Sequence, residues 1–290
     1  MAAAVVTDAA ALAATVTSSR YGKRGVDAVY AWLERCAVRP VVTLTQEERE
    51  ACVRFGRACA PTNNYGVERG QHDVGRCAQQ AAVGKAGELA VWRHLASPAY
   101  ARPDFAIYAA AQKSFDADLT RTLKASGGGG GDVHVKTQEW SMADRFGASW
   151  TFQYADRHGK RTSGNWDRRV FGDDAATCAD LCTFCLFLGD VYATTWRVMI
   201  VGSWRLRDLR AASSVFGYPI KLDLRPAKRV VYLERLMDAD APDVLPSCDD
   251  SDASIVPYNA DDAKAYDGTV KNRYADDRQD KKRKASACPL

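Results

Sequence analysis

A chain of 290 residues that is 47% apolar and 10% aromatic can bury a full core, which excludes a disordered or low-complexity protein. Its net charge of +4 is uneven: residues 238–290 hold twelve Asp and eight Lys or Arg, a balance of −4, so the body before them stands at +8. A body of that sign suits a polyanionic partner such as nucleic acid, and the absence of any apolar run of about 18–20 residues argues against a membrane span.

In chain order, residues 1–22 read as an Ala-rich flexible arm without the basic start of a secretory signal. The nine cysteines, an odd number widely scattered, then read as free thiols of a reducing compartment. Val26, Val29, Tyr30 and Leu33 fall at helical spacing. Thr45-Gln46-Glu47-Glu48 is a capping box that opens a helix to about Ala58. Residues 61–73 read as a loop, and 77–95 as a second helix with Val83, Leu89, Trp92 and Leu95 on one stripe. Beyond Pro98 come short strands at 105–108, 114–119, 133–137 and 149–154, then two buried strands at 181–188 and 195–204 joined by a turn at Gly189-Asp190. A short helix at 205–213 and a closing strand or helix at 229–236 complete the body. The Asp-, Ser- and Pro-rich tail 238–290, ending in Lys281-Lys282-Arg283-Lys284, reads as disordered, its basic cluster suiting nuclear entry or a polyanion. Helices first and strands after give an α/β fold with a central mixed sheet flanked by helices, in one domain 23–237 made of a helical part 23–97 and a sheet part 98–237.

The chemistry-bearing residues occur in a definite order. Glu88 lies on the helix carrying Gly84-Lys85-Ala86-Gly87-Glu88, whose two glycines permit close approach to a sheet. Asp116 and Asp118 alternate with Ala117, and so share a strand face. In Asp132-Val133-His134-Val135-Lys136-Thr137-Gln138 the residues Asp132, His134, Lys136 and Gln138 share one face and the apolar ones the other. Carboxylates that hold a divalent ion and a lysine beside an attacking water are what phosphodiester hydrolysis requires.

These residues resemble the PD-(D/E)XK, or restriction-endonuclease-like, nucleases over roughly residues 84–236: a helix Glu, a strand Asp, then a hairpin to a strand with x-Lys. The resemblance implies a restriction-endonuclease-like core that cleaves DNA with Mg²⁺ or Mn²⁺. By position, Asp118 is the first metal-binding acid, Lys136 the lysine that positions the water, and Glu88 the helix carboxylate on metal or water. Gln138 matches the Val-Lys-Ser/Thr-Gln ending of some viral and restriction-type members. The sequence departs from the pattern at His134, where the second acid is expected. Either His134 is itself a ligand, one that suits Mn²⁺ or Zn²⁺ better than Mg²⁺, or Asp132 or Asp116 reaches in, or the site is impaired. Pro103-Asp104 spells the literal "PD" but stands about thirty residues before Lys136, too early for the hairpin.

Other patterns fit less well. Gly127 to Gly131 is followed by no Lys-Ser or Lys-Thr, so it reads as a flexible hairpin connection and not a phosphate loop. Cys178-x3-Cys182-x2-Cys185 has iron–sulfur spacing but runs directly into Leu-Phe-Leu, as buried cysteines of a strand would. His72, His94 and His158 stand without a nucleophile signature, which argues against a triad hydrolase. Trp150, Phe152, Tyr154 and Trp166 interleave with Arg157, Lys160, Arg161, Arg168 and Arg169, a mixture that suits phosphate contact and base stacking, or equally a strand and a solvated loop. The sequence therefore predicts a metal-dependent deoxyribonuclease, endonuclease favoured, with a homodimer or two successive nicks needed to cut both strands. The alternative is an impaired nucleic-acid-binding or virion-associated protein that keeps the fold.

Overall fold

The computed structural model describes residues 39–62, 73–109, 117–121, 131–146, 148–156, 158–161, 167–172, 180–211, 216–217, 227–233 and 236. The arm 1–22, the helix expected at 26–36, most of the loop at 61–73, Asp116, most of the glycine run, Cys178, Arg157, Trp166 and the tail lie outside the described residues.

Strand β1 (Val41–Thr43) leads into helix α1 (Gln46–Cys59). Thr45 caps that helix reciprocally: its hydroxyl accepts from the Glu48 amide at 3.3 Å and its own amide donates to Glu48 Oε2 at 2.8 Å. A 3₁₀ turn (Ala60–Thr62) follows, and Asp73 caps the long helix α2 (Val74–Leu95) by accepting from the Arg76 amide, so that helix begins three residues earlier than its apolar stripe suggests. Then come β2 (Val133–Glu139), α3 (Trp140–Phe146), β3 (Ser149–Gln153) and α4 (Arg168–Phe171). The chain closes with β4 (Leu181–Leu188), β5 (Arg197–Arg205), α5 (Leu206–Ala211), β6 (Phe216–Gly217) and β7 (Lys228–Tyr232).

The strands form two sheets. The larger runs β1-β5-β4-β2, with β2 parallel to β4 and the other pairs antiparallel; the smaller runs β3-β7-β6. Gly189, at φ 98°, turns β4 into β5 where a side chain would be strained. Alternation along β4 and β5 divides the core in two. Cys185, Phe187, Val198 and Ile200 pack with Leu89, Ala86 and Ala90 of α2, whereas Phe184, Leu186, Met199 and Val201 pack with Trp150, Phe152 and Val231 of the smaller sheet. The mixed sheet is thus covered by helices on one face and by a second sheet on the other. The central mixed sheet flanked by helices is as expected, and the three-stranded sheet is an addition that the sequence did not reveal. Segment 105–108 also fails to build a strand, because Asp104 takes the Ala106 amide at 2.7 Å and the Tyr108 hydroxyl at 2.5 Å in a local turn.

Helix α2 meets β2 at Gly87. A Cβ there would lie 1.8 Å from Thr137 Oγ1 and 3.0 Å from its Cβ. Gly87→Ala is expected to lower stability by about 1–3 kcal/mol through overpacking, more than the roughly 1 kcal/mol that better helix propensity returns. Denaturant unfolding of Gly87→Ala and of Gly87→Ala/Thr137→Ala checks this, since shortening the opposing side chain restores most of the loss.

Candidate active site

The site forms where the chain beside β2 separates from it. Leu119 pairs with Val133 through both backbone hydrogen bonds, at 3.0 and 2.9 Å, making a single antiparallel bridge at the start of β2. One step on, the Asp118 carboxylate replaces a backbone partner, its Oδ2 accepting from the Val135 amide at 2.7 Å. Asp118 is thereby fixed at the fork, and its Oδ1 carries no hydrogen bond among the described residues.

Glu88 approaches from α2. Its side chain is 13% exposed, and its Oε2 lies 2.5 Å from the ammonium of Lys85, one helical turn earlier. Burial pushes the Glu88 carboxyl up, toward about 7, while Lys85 pulls it back and the carboxylates of Asp118 and Asp104 push it further up. Lys85 is held on every side: it donates to the Asp104 carbonyl at 2.7 Å and lies 4.6 and 5.5 Å from the ring centroids of Phe55 and Phe105. Burial disfavours its charge, but Glu88, Asp118 and Asp104 outweigh that and keep it an ammonium.

Lys136 stands on the opposite face of β2 from Val135, toward the smaller sheet. Its Nζ lies 3.8 Å from Asp167 Oδ2 and 5.2 Å from the centroid of Phe152. Burial alone would favour the neutral amine, yet Asp167, Asp118, Cys182 and Glu88 together raise its pKa. The side chain is 26% exposed, so it is only partly covered. A lysine so held is a cation and not a base at neutral pH. Asp167 also caps α4, accepting from the Val170 amide at 3.1 Å, which ties the Lys136 partner to a fixed element.

The charges of Asp118 and Glu88 are felt at Lys136, although Lys136 faces the smaller sheet and Glu88 comes from the helix on the other side of β2. The other expected residues go elsewhere. His134, buried at 2%, points its Nε2 at Asp180 Oδ2, 3.6 Å away. Asp180 further takes Arg169 at 3.2 Å and the Asp132 amide at 3.0 Å, and Asp132 takes the Arg121 amide at 3.0 Å, so His134 and Asp132 belong to a separate network at the start of β2. Gln138 is structural: its Oε1 accepts from the Ser149 amide at 2.8 Å and pins β3 to β2. Cys182 and Cys185 occupy opposite faces of β4, each thiol raised by burial, an arrangement for packing and not for a shared cluster.

Three participants escaped the sequence reading. Lys85 stands three residues before Glu88, the spacing of a helical ion pair, which was a usable signal. Asp167 is a helix cap in a loop, and only the fold brings it to Lys136. Asp104, set aside as too early, reaches the rim through its carbonyl and its charge. The aromatic and basic stretch also divides: Trp150 and Phe152 are buried at 2% and 1%, so neither can stack on a base.

The donor set bears on which ion the group could hold. Among the described residues no three of His, Cys, Asp and Glu converge, so a cage of protein ligands is not built there. Asp118 and Glu88 each have one oxygen engaged and one without a hydrogen bond among the described residues, and carboxylates taken one or two at a time, with water and phosphate oxygens, are the donors Mg²⁺ uses. The pair does not fit Zn²⁺, which seeks three or four nitrogen or sulfur ligands. Among the described residues, no helix is long and apolar enough to cross a membrane. Comparison of the chain with protein-family models, with curated proteins and with solved structures found no match.

Proposed function

We propose that this chain is a divalent-metal-dependent nuclease of the restriction-endonuclease-like class, hydrolysing DNA phosphodiester bonds at Asp118, Glu88 and Lys136. The observation that carries the reading is the fork at β2, where the Asp118 carboxylate is fixed on the Val135 amide and acts, with Glu88, on the ammonium of Lys136. The order of elements supports it: a helix with Glu88, a bridge with Asp118, an antiparallel return along β2 with Lys136, then a crossover to the parallel β4.

Asp118 and Glu88 would hold Mg²⁺ through their open oxygens, and a bound ion supplies an acidified water and takes up charge on the phosphate. Asp118 is held rigid by the backbone, so it presents its oxygen without reorganisation. Lys136 brings a fixed positive charge to the phosphate and donates to the attacking water, with Asp167 and the face of Phe152 restricting where its ammonium sits. Lys85 offsets part of the burial that raises the Glu88 pKa, and so favours its carboxylate. In the reaction the water oxygen bonds to phosphorus and the bond to the leaving sugar oxygen breaks. The water's protons are shared between solvent and that oxygen, leaving a phosphate monoester and a hydroxyl.

Incubation of plasmid and linear DNA with the full chain in Mg²⁺, Mn²⁺ or EDTA tests this. Cutting in Mg²⁺ that EDTA abolishes and that Lys136→Met lowers by at least about 10²-fold is expected, the loss of one preorganised charge at a reacting phosphate. Equal cutting by Lys136→Met would remove the assignment. His134, occupying the position of the second acid and turned to Asp180, favours a second reading, a binding protein that retains the fold. That reading predicts salt-sensitive DNA binding with no cutting in any metal.

A further inference from the structure

The row of aromatic rings under Lys136 continues to the surface and ends in two arginines. Phe152, beneath the Lys136 ammonium, meets Phe171 edge-on at 6.1 Å, and Tyr154 meets the same Phe171 edge-on at 5.2 Å. Tyr154 thus stands on the same side of β3 as Phe152, two residues or about 7 Å further along. Its amide donates to the Ala227 carbonyl at 2.8 Å, which fixes its backbone against the end of β7. The guanidinium carbons of Arg161 and Arg229 each lie 3.7 Å from the Tyr154 centroid, too close together in space to share one face. The ring is therefore sandwiched, and neither face is open to a nucleobase.

We infer that Arg161 and Arg229, spaced by Tyr154, clamp DNA backbone phosphates that adjoin, on the same strand, the phosphate that reaches Lys136. Stacking on the ring orders both guanidiniums before a partner arrives, so less side-chain entropy is lost when they bind. Guanidinium forks match phosphate oxygens, and such contacts fix register without reading sequence. Lys160 and Arg168 are exposed on the same loop and helix and add positive charge. The one described acid of that loop, Asp156, accepts from the His158 and Lys160 amides of its own turn, both at 2.8 Å. The assignment to the reacting strand rests on the nuclease reading; the phosphate contact itself does not.

Fluorescence anisotropy of a short labelled DNA duplex, titrated with the full chain in EDTA across about 50–200 mM salt, reads the clamp without cleavage. Arg161→Ala/Arg229→Ala is expected to weaken binding at low salt and to flatten the slope of log K against log salt by about two, close to 0.9 per lost phosphate contact. Arg207→Ala, an exposed arginine of α5 away from the row, leaves the slope unchanged. Tyr154→Leu keeps both charges and loses their spacer, so affinity falls while the slope stays near the wild-type value. Wild-type affinity and slope in the double variant would overturn the clamp, as would a wild-type chain that binds no DNA at low salt. No cutting by the wild-type chain in any divalent metal, with binding weakened by the double variant, would instead remove the nuclease reading and leave the clamp standing.

Discussion

Lys85→Ala is expected to destabilise the protein by about 3–5 kcal/mol, the cost of leaving one member of a buried ion pair alone. The lysine side chain is 9% exposed and that of Glu88 13%, so water cannot replace the lost ammonium. The Asp104 carbonyl loses its donor in the same variant, and the rings of Phe55 and Phe105 lose the cation packed on them. Glu88, deprived of the charge that lowers its pKa, takes up a proton in response to burial and to Asp118 and Asp104. Thermal unfolding measures the effect, at roughly 2–4 °C for each kcal/mol in a chain of this size. Lys85→Met/Glu88→Gln separates charge from packing: it removes both ions, fills the space, and recovers most of the loss. A Lys85→Ala protein as stable as wild type would show that the pair is solvated and that Glu88 is not held as described.

Asp180→Leu is expected to cost about 3 kcal/mol or more, because one carboxylate there accepts from two groups and faces a third, His134, at 3.6 Å. Arg169, the Asp132 amide and His134 all converge on it, and its side chain is 6% exposed. Asp180→Asn keeps an acceptor for the Asp132 amide and should cost less. The acid response follows from the same contacts. Burial works to raise the Asp180 pKa, but the nearby His134 imidazole, the Asp132 amide and Arg169 bring it below the ordinary aspartate value. A carboxyl with a depressed folded pKa contributes stability that is present above its unfolded pKa, about 3.9, and is lost as pH falls through the folded value. Wild type should therefore lose stability below about pH 4 more steeply than Asp180→Asn, which has no carboxyl to protonate at that position. Parallel denaturant titrations at pH 7 and toward pH 3 compare the two, and identical acid slopes would refute the network.

What could be read from the residues alone follows the range of the interactions. The capping box at Thr45 and Glu48 is local, and the structure places the helix where it predicts. The all-apolar runs of β4 and β5 and the alternation of β2 identify their strands, since burial on one or both faces leaves its mark on the order of side chains. The second sheet left no such mark. Ser149–Gln153 looks the same whether it pairs with β7 or joins the main sheet, and that choice rests on contacts with residues about eighty positions away. The same holds at the site. Asp118, Lys136 and Glu88 could be named as candidates because their order along the chain follows a known pattern, whereas Asp167 is a cap in a loop whose nearness to Lys136 only the fold creates. His134 shows the reverse failure: its face was assigned correctly, but its partner, Asp180, sits before the neighbouring strand and draws it away from the carboxylates. Tyr154 was grouped with Trp150 and Phe152 by composition, although only Tyr154 reaches the surface, where it is covered by arginines.

The most direct test is single-turnover cleavage of supercoiled plasmid in Mg²⁺ by wild type and by Asp118→Asn, which keeps an oxygen for the Val135 amide and removes the charge. The account predicts nicking by wild type and at least about a 10²–10³-fold loss in the variant at unchanged melting temperature. Cutting by Asp118→Asn at the wild-type rate, or none by wild type in any divalent metal, would contradict it.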